Sequence, residues 1–238
     1  ELDEILRKVV EDSRRLVKEL EDILREVIER TERILEEHRD LTRKADEDIR
    51  RILEEATRTK TDDELRERLK RLLDETAKLH RDVKKRLEDL NRDLLRLEDE
   101  ILRRLEELNR RLEEVLRKKN KVSEKILKEH RELLEESRKR LEEIKKEHRE
   151  MLKRSEDESR KILRDLEELV KEIDDKEDKK PKEEVLKDIV RVLRDVLKKA
   201  NDLLKTHLDL NRESVKKVVE IARRHVKMNE DSVRKVEK

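Results

Sequence analysis

His207-x-x-x-Asn211-x-x-Ser214-Val215 recurs near the end of the chain as His225-x-x-x-Asn229-x-x-Ser232-Val233. Each sets polar residues into an apolar helical stripe. The copies stand eighteen residues apart. That is five turns at about 3.6 residues per turn, so a residue and its copy face the same way. A strict seven-residue repeat would impose a left-handed supercoil; this interval permits nearly straight helices. The same interval recurs upstream, in Ser13/Thr31, in Asn91/Asn109, and in His130-Arg-Glu-Leu-Leu-x-x-Ser137 followed by His148-Arg-Glu-Met-Leu-x-x-Ser155.

The 238 residues contain no Gly, Cys, Phe, Tyr or Trp and one Pro. Average usage would give roughly 17 glycines. Their absence removes tight hairpins, phosphate-cradling loops and the usual helix stops. Charged residues make up 57% of the chain, interleaved by sign to a net charge of +1. With the apolar residues strictly periodic, this points to packed helices and not to disorder.

Four helices are expected. Helix 1 runs from about 2 to 56, its stripe interrupted by Ser13, Thr31, His38 and Thr42. A loop follows near Thr57 to Thr61, and Thr61-Asp62-Asp63-Glu64 reads as a capping box. Helix 2 runs from about 62 to 119, with Thr76, His80, Asn91 and Asn109 on its stripe, and Asn120 is its left-handed stop. Ser123, preceded by Val122, caps helix 3, from about 124 to 173, which carries His130, Ser137, His148, Ser155 and Ser159. The connection from Asp174 to Lys180 leads to Pro181, suited to a first helical position. Helix 4, to about 236, carries Asn201 and the two opening motifs. Short connections make neighbours antiparallel. The expected fold is all-α: one up-down-up-down antiparallel four-helix bundle spanning 1–238.

Antiparallel neighbours at one height have residue numbers mirrored about the connecting loop. The polar pairs mirror about Thr61 for helices 1 and 2, between Lys119 and Asn120 for helices 2 and 3, and between Glu177 and Asp178 for helices 3 and 4. One expected layer is therefore Ser13, Asn109, His130 and His225. A second is Thr31, Asn91, His148 and His207, about 27 Å along the axis. A third cluster gathers His38, Thr42, Thr76, His80, Ser155, Ser159 and Asn201. Asn211, Ser214 and Asn229 belong to the same buried polar set. A buried polar group left unpaired costs about 1–3 kcal/mol, so such layers penalise a slipped register or a swapped neighbour.

Regular capping, no Gly or aromatics, charged outer positions and copied polar layers together resemble de novo designed helical bundles with modular buried hydrogen-bond networks. The resemblance covers the whole chain. It implies a scaffold with no natural biochemical activity. Its alternative is an interaction module that exchanges helices, or a three-plus-one heterodimer derivative in which helix 4 descends from a separate chain. A monomer is expected, with a helical partner or self-association as the alternative.

Other classes fare worse. No basic face or aromatic serves nucleic acid. No apolar run reaches 18 residues, and no targeting segment is visible. A soluble protein, cytoplasmic when expressed recombinantly, is expected. No cofactor and no metal is expected. The residues three before each His (Leu35, Ala77, Leu127, Lys145, Leu204 and Ala222) include no Glu, and no carboxylate is expected on a stripe. Zinc between His130 and His225, or between His148 and His207, is a remote reading, as is a pH-sensitive bundle. No enzyme is expected: a filled bundle lacks the cleft and oxyanion site that a nucleophile needs.

Overall fold

The computed structural model describes residues 1–56, 58, 62–118, 124–174 and 182–237. Among them are four α-helices and no strand: α1 (Leu2–Ala56), α2 (Asp62–Lys118), α3 (Glu124–Asp174) and α4 (Lys182–Glu237). They hold 55, 57, 51 and 56 residues. Leu, Glu, Lys and Arg, which lose little rotamer freedom in a helix, fill most positions. Asp3 and Glu4 lie at the positive end of α1, and Arg117 and Lys118 at the negative end of α2. Past α1, the Arg58 N–H donates to the Glu55 carbonyl at 3.1 Å. The expected loop residues Thr57 and Thr59 to Thr61, the Thr61 cap, Lys119, the Asn120 stop, the Val122–Ser123 start, the connection over 175–180 and Pro181 lie outside the described residues.

The fold is an antiparallel four-helix bundle, and each helix contributes a segment to each of two compact units. The first unit is Glu1–Glu29, Leu90–Glu150 and Asp209–Lys238; the second is Arg30–Asp89 and Met151–Leu208.

In the first unit, ion pairs give the order of the helices. Asp12 pairs with Arg111 at 3.0 Å and Glu19 with Arg104 at 2.5 Å, so numbers rise on α1 as they fall on α2. Glu106 with Arg138 joins α2 to α3, Arg224 with Glu136 joins α4 to α3, and Arg14 with Glu230 joins α1 to α4. Exposed pairs contribute about 0–1 kcal/mol each, so they record the arrangement more than they hold it. What holds it is the core, including Leu6, Leu16, Leu20, Ile101, Leu112, Leu141, Val218 and Ile221. Each such side chain contributes about 1.5–3 kcal/mol when fully buried.

In the second unit Glu37–Arg86 and Glu55–Arg68 continue the same mirrored numbering between α1 and α2. Asp46 with Arg194 joins α1 to α4 at 3.6 Å, and Lys70 with Asp174 joins α2 to α3. The core comprises one cluster around Ile49, Leu73, Ile162, Ile189 and Leu193, and a smaller one around Ile34, Val83, Leu87 and Leu204.

Candidate functional site

Of the polar residues expected on the stripes, all are buried except Thr42 and Asn201, which are half-buried. Their partners divide them into three groups.

The first group lies in the first unit. His130 Nε2 meets Ser232 Oγ at 2.7 Å, and His225 Nε2 meets Ser137 Oγ at 2.7 Å. Ser137 donates its own proton to the Leu133 carbonyl at 2.8 Å, so it accepts from His225, whose proton therefore sits on Nε2. Asn229 Nδ2 donates to Ser13 Oγ at 3.0 Å, and Ser13 donates to the Val9 carbonyl at 2.8 Å. Asn109 Oδ1 is buried without a partner. The expected layer of Ser13, Asn109, His130 and His225 is corrected here. The bonds run from each histidine to a serine one heptad along the facing helix, and His130 and His225 act on each other only through charge.

The second group, also in the first unit, joins Asn91 and His148, two members of one expected layer. Asn91 Oδ1 accepts from His148 Nδ1, and Asn91 Nδ2 donates to the His148 carbonyl at 3.1 Å. His148 Nε2 faces Glu98 Oε1 at 3.2 Å, with the two side chains 0% and 3% exposed. Glu98 corrects the expectation that no carboxylate occupies a stripe. A heptad step finds it: Asn91, Glu98, Leu105 and Leu112 lie seven apart on α2 and all are buried. Lys145, also buried, reaches Asp99 and Glu142 at the surface. Asn211 and Ser214, buried on α4, have no hydrogen-bond partner for their side chains.

The third group lies in the second unit. His38 Nδ1 meets Asn201 Oδ1 at 2.6 Å, and Thr42 donates to the His38 carbonyl at 2.8 Å. Thr76 donates to the Leu72 carbonyl at 2.7 Å. His80 Nε2, Ser155 Oγ and Ser159 Oγ are buried without partners. Thr31 and His207 are buried in this unit as well.

Burial penalises the imidazolium and lowers the pKa of four histidines. His130 is pushed down to about 4 by burial, against the raising effect of Glu129. His225 falls to about 4 through burial, His130 and Arg224. His80 falls to about 4 through burial, His38, Lys84 and Arg81. His38 is lowered by burial, against its bond to Asn201.

The chemistry this permits is pairing. In the Ser137–His225 contact the imidazole donates and the serine proton is committed to a carbonyl, the reverse of a base activating a nucleophile. Two surface grooves are lined by other residues than the buried histidines: one of about 510 Å³ in the first unit runs past Asp12, Arg15, Glu19, Arg104 and Glu107, and one of about 520 Å³ in the second past Asp74, Lys78, Arg81 and Glu167. No group of three or more His, Cys, Asp or Glu placed to hold a metal occurs among the described residues. No described helix is long and apolar enough to cross a membrane.

No protein-family model and no curated protein matches the chain. Among solved structures it is similar to a computationally designed three-helix bundle. The two are 21% identical over 98% of this chain and 93% of that one, with a TM-score of 0.30. A likeness that loose assigns neither topology nor origin.

Proposed function

We propose that the chain is a designed structural scaffold, without biochemical activity of its own, whose buried polar pairs dictate which helices pack together and in what register. The observation that carries this reading is the reciprocal exchange between α3 and α4: His130 bonds Ser232 while His225 bonds Ser137. A hydrocarbon core tolerates sliding, because one leucine replaces another. A buried histidine that slides off its serine loses about 1–3 kcal/mol with nothing to replace it. The cost of the device is stability, since apolar isosteres are often neutral or better in such positions.

Replacing all four residues of the exchange by apolar ones (His130→Leu, Ser137→Ala, His225→Leu and Ser232→Ala together) tests the reading. The parent chain is expected to be a single 29.2 kDa species by light scattering behind a sizing column. The stripped variant is expected to remain helical and equally heat-resistant while distributing among monomer and higher species. A stripped variant that stays one clean monomer with unchanged helix order would contradict the assignment.

A further inference from the structure

His130 and Ser137 stand seven residues apart on α3, and His225 and Ser232 stand seven apart on α4. Run antiparallel, the two stretches interlock, each histidine on the other's serine. The second copies keep the spacing: His148 with Ser155 on α3, and His207 with Ser214 on α4. Moving eighteen residues along α3 and eighteen back along α4 preserves both the direction each residue faces and the mirrored numbering. The move sets His148 opposite Ser214, both in the first unit, and Ser155 opposite His207, both in the second.

The protons of His148 point the same way. Asn91 Oδ1 is an acceptor only, so His148 Nδ1 carries the hydrogen between them. With that hydrogen on Nδ1, a bare Nε2 presents a lone pair and takes a donor. Glu98 Oε1 lies 3.2 Å away, and His148 Nε2 makes no hydrogen bond there. Ser214 Oγ is a donor, is 1% exposed and has no partner. Ser155 Oγ is equally buried and equally without one.

We infer that α3 and α4 recognise each other through a four-rung code of facing histidine and serine, with His148–Ser214 and Ser155–His207 as its third and fourth rungs. The inference rests on the pairing function proposed above and names the residues that execute it. In the third rung the Ser214 hydroxyl donates to His148 Nε2 while Asn91 keeps Nδ1. The code is directional. A parallel alignment sets histidine on histidine and serine on serine, and a slip of one heptad sets His130 against His225.

The test is a set of single substitutions in the full chain, read by denaturant midpoint and by ring 15N resonances of the six histidines. Ser137→Ala removes a formed rung and is expected to lower the midpoint. Replacing a hydroxyl that has no partner is neutral or stabilising, whereas removing the donor of a buried ring nitrogen is destabilising. Ser214→Ala and Ser155→Ala are therefore expected to lower the midpoint as Ser137→Ala does. Ser214→Ala should also shift the His148 ring resonances more than those of any other histidine. A midpoint unchanged or raised by Ser214→Ala or Ser155→Ala, or a His148 ring that does not respond to Ser214→Ala, overturns the code while leaving the pairing function standing. A midpoint unmoved by Ser137→Ala overturns the pairing function itself, and the code with it.

Discussion

Asn109 and Asn91 stand eighteen residues apart on α2, and so do Leu116 and Glu98. Leu116 is fully buried in the core of the first unit, and Glu98, eighteen residues earlier, is buried in the same helical position. Around the first copy, histidines bond serines across α3 and α4. Around the second, His148 is clamped by Asn91 and faces Glu98, and Ser214 lacks a partner. The exchange of hydrocarbon for carboxylate on α2 is thus one difference between the surroundings of two motifs that share their histidine–serine spacing. A polar pair is set by the competition for its atoms as much as by the two residues that form it.

Acid is the harshest way to erase the difference between the copies. Three histidines are held near 4 in the fold, against about 6.5 when unfolded. The unfolded chain binds the extra protons first, so their contribution is complete above about 6.5 and is lost as pH falls toward 4. Each is worth up to roughly 3 kcal/mol over that window. Denaturant midpoints should fall steeply between pH 7.5, 5 and 4; equal midpoints at 7.5 and 5 contradict the buried neutral rings.

Leu116→Glu imposes the second copy's environment on the first. A carboxylate forced into that core is expected to destabilise by about 3 kcal/mol or more, read as a drop in midpoint, and to disturb the His130 ring signals. Glu98→Leu does the reverse. It removes a buried carboxylate with one oxygen lacking a partner and is expected to stabilise by about 1–2 kcal/mol. If Glu98→Leu destabilises, the carboxylate is a contributing partner of His148 and not a competitor for it. The smallest effect is expected from zinc, which should leave the melting temperature unmoved at stoichiometric metal; an upward shift would reveal a ligand set that forms on binding.

The helices and their number were legible because Leu, Ile and Val recur at helical spacing. The register of α1 against α2 was nearly so: the expected mirror at Thr61 and the ion pairs Asp12–Arg111, Glu19–Arg104 and Glu37–Arg86 differ by a single residue. That Asn91 and His148 share a layer was legible from the mirror between Lys119 and Asn120, and that His38 and Asn201 lie near each other from their shared cluster. The histidine–serine exchange was not. Seven residues fall about 20° short of two full turns, so positions one heptad apart share a face, and residue type alone does not choose between His130 opposite His225 and His130 opposite Ser232. Only the distances choose. Glu98 escaped because one carboxylate among so many charges carries no signal until the buried series Asn91, Glu98, Leu105 and Leu112 is laid out.

The chain has no cysteine, so a pair of introduced labels reports one distance. Spin labels at Arg140 on α3 and Arg234 on α4, both exposed in the first unit, are offset along the helices, so that sliding changes their separation directly. One narrow distance is expected in the parent chain. In the variant stripped of His130, Ser137, His225 and Ser232 a second population is expected, displaced by about 10 Å, the rise of one heptad. The same single distance in both would show that hydrocarbon packing alone sets the register, and would contradict the role given to the buried polar pairs.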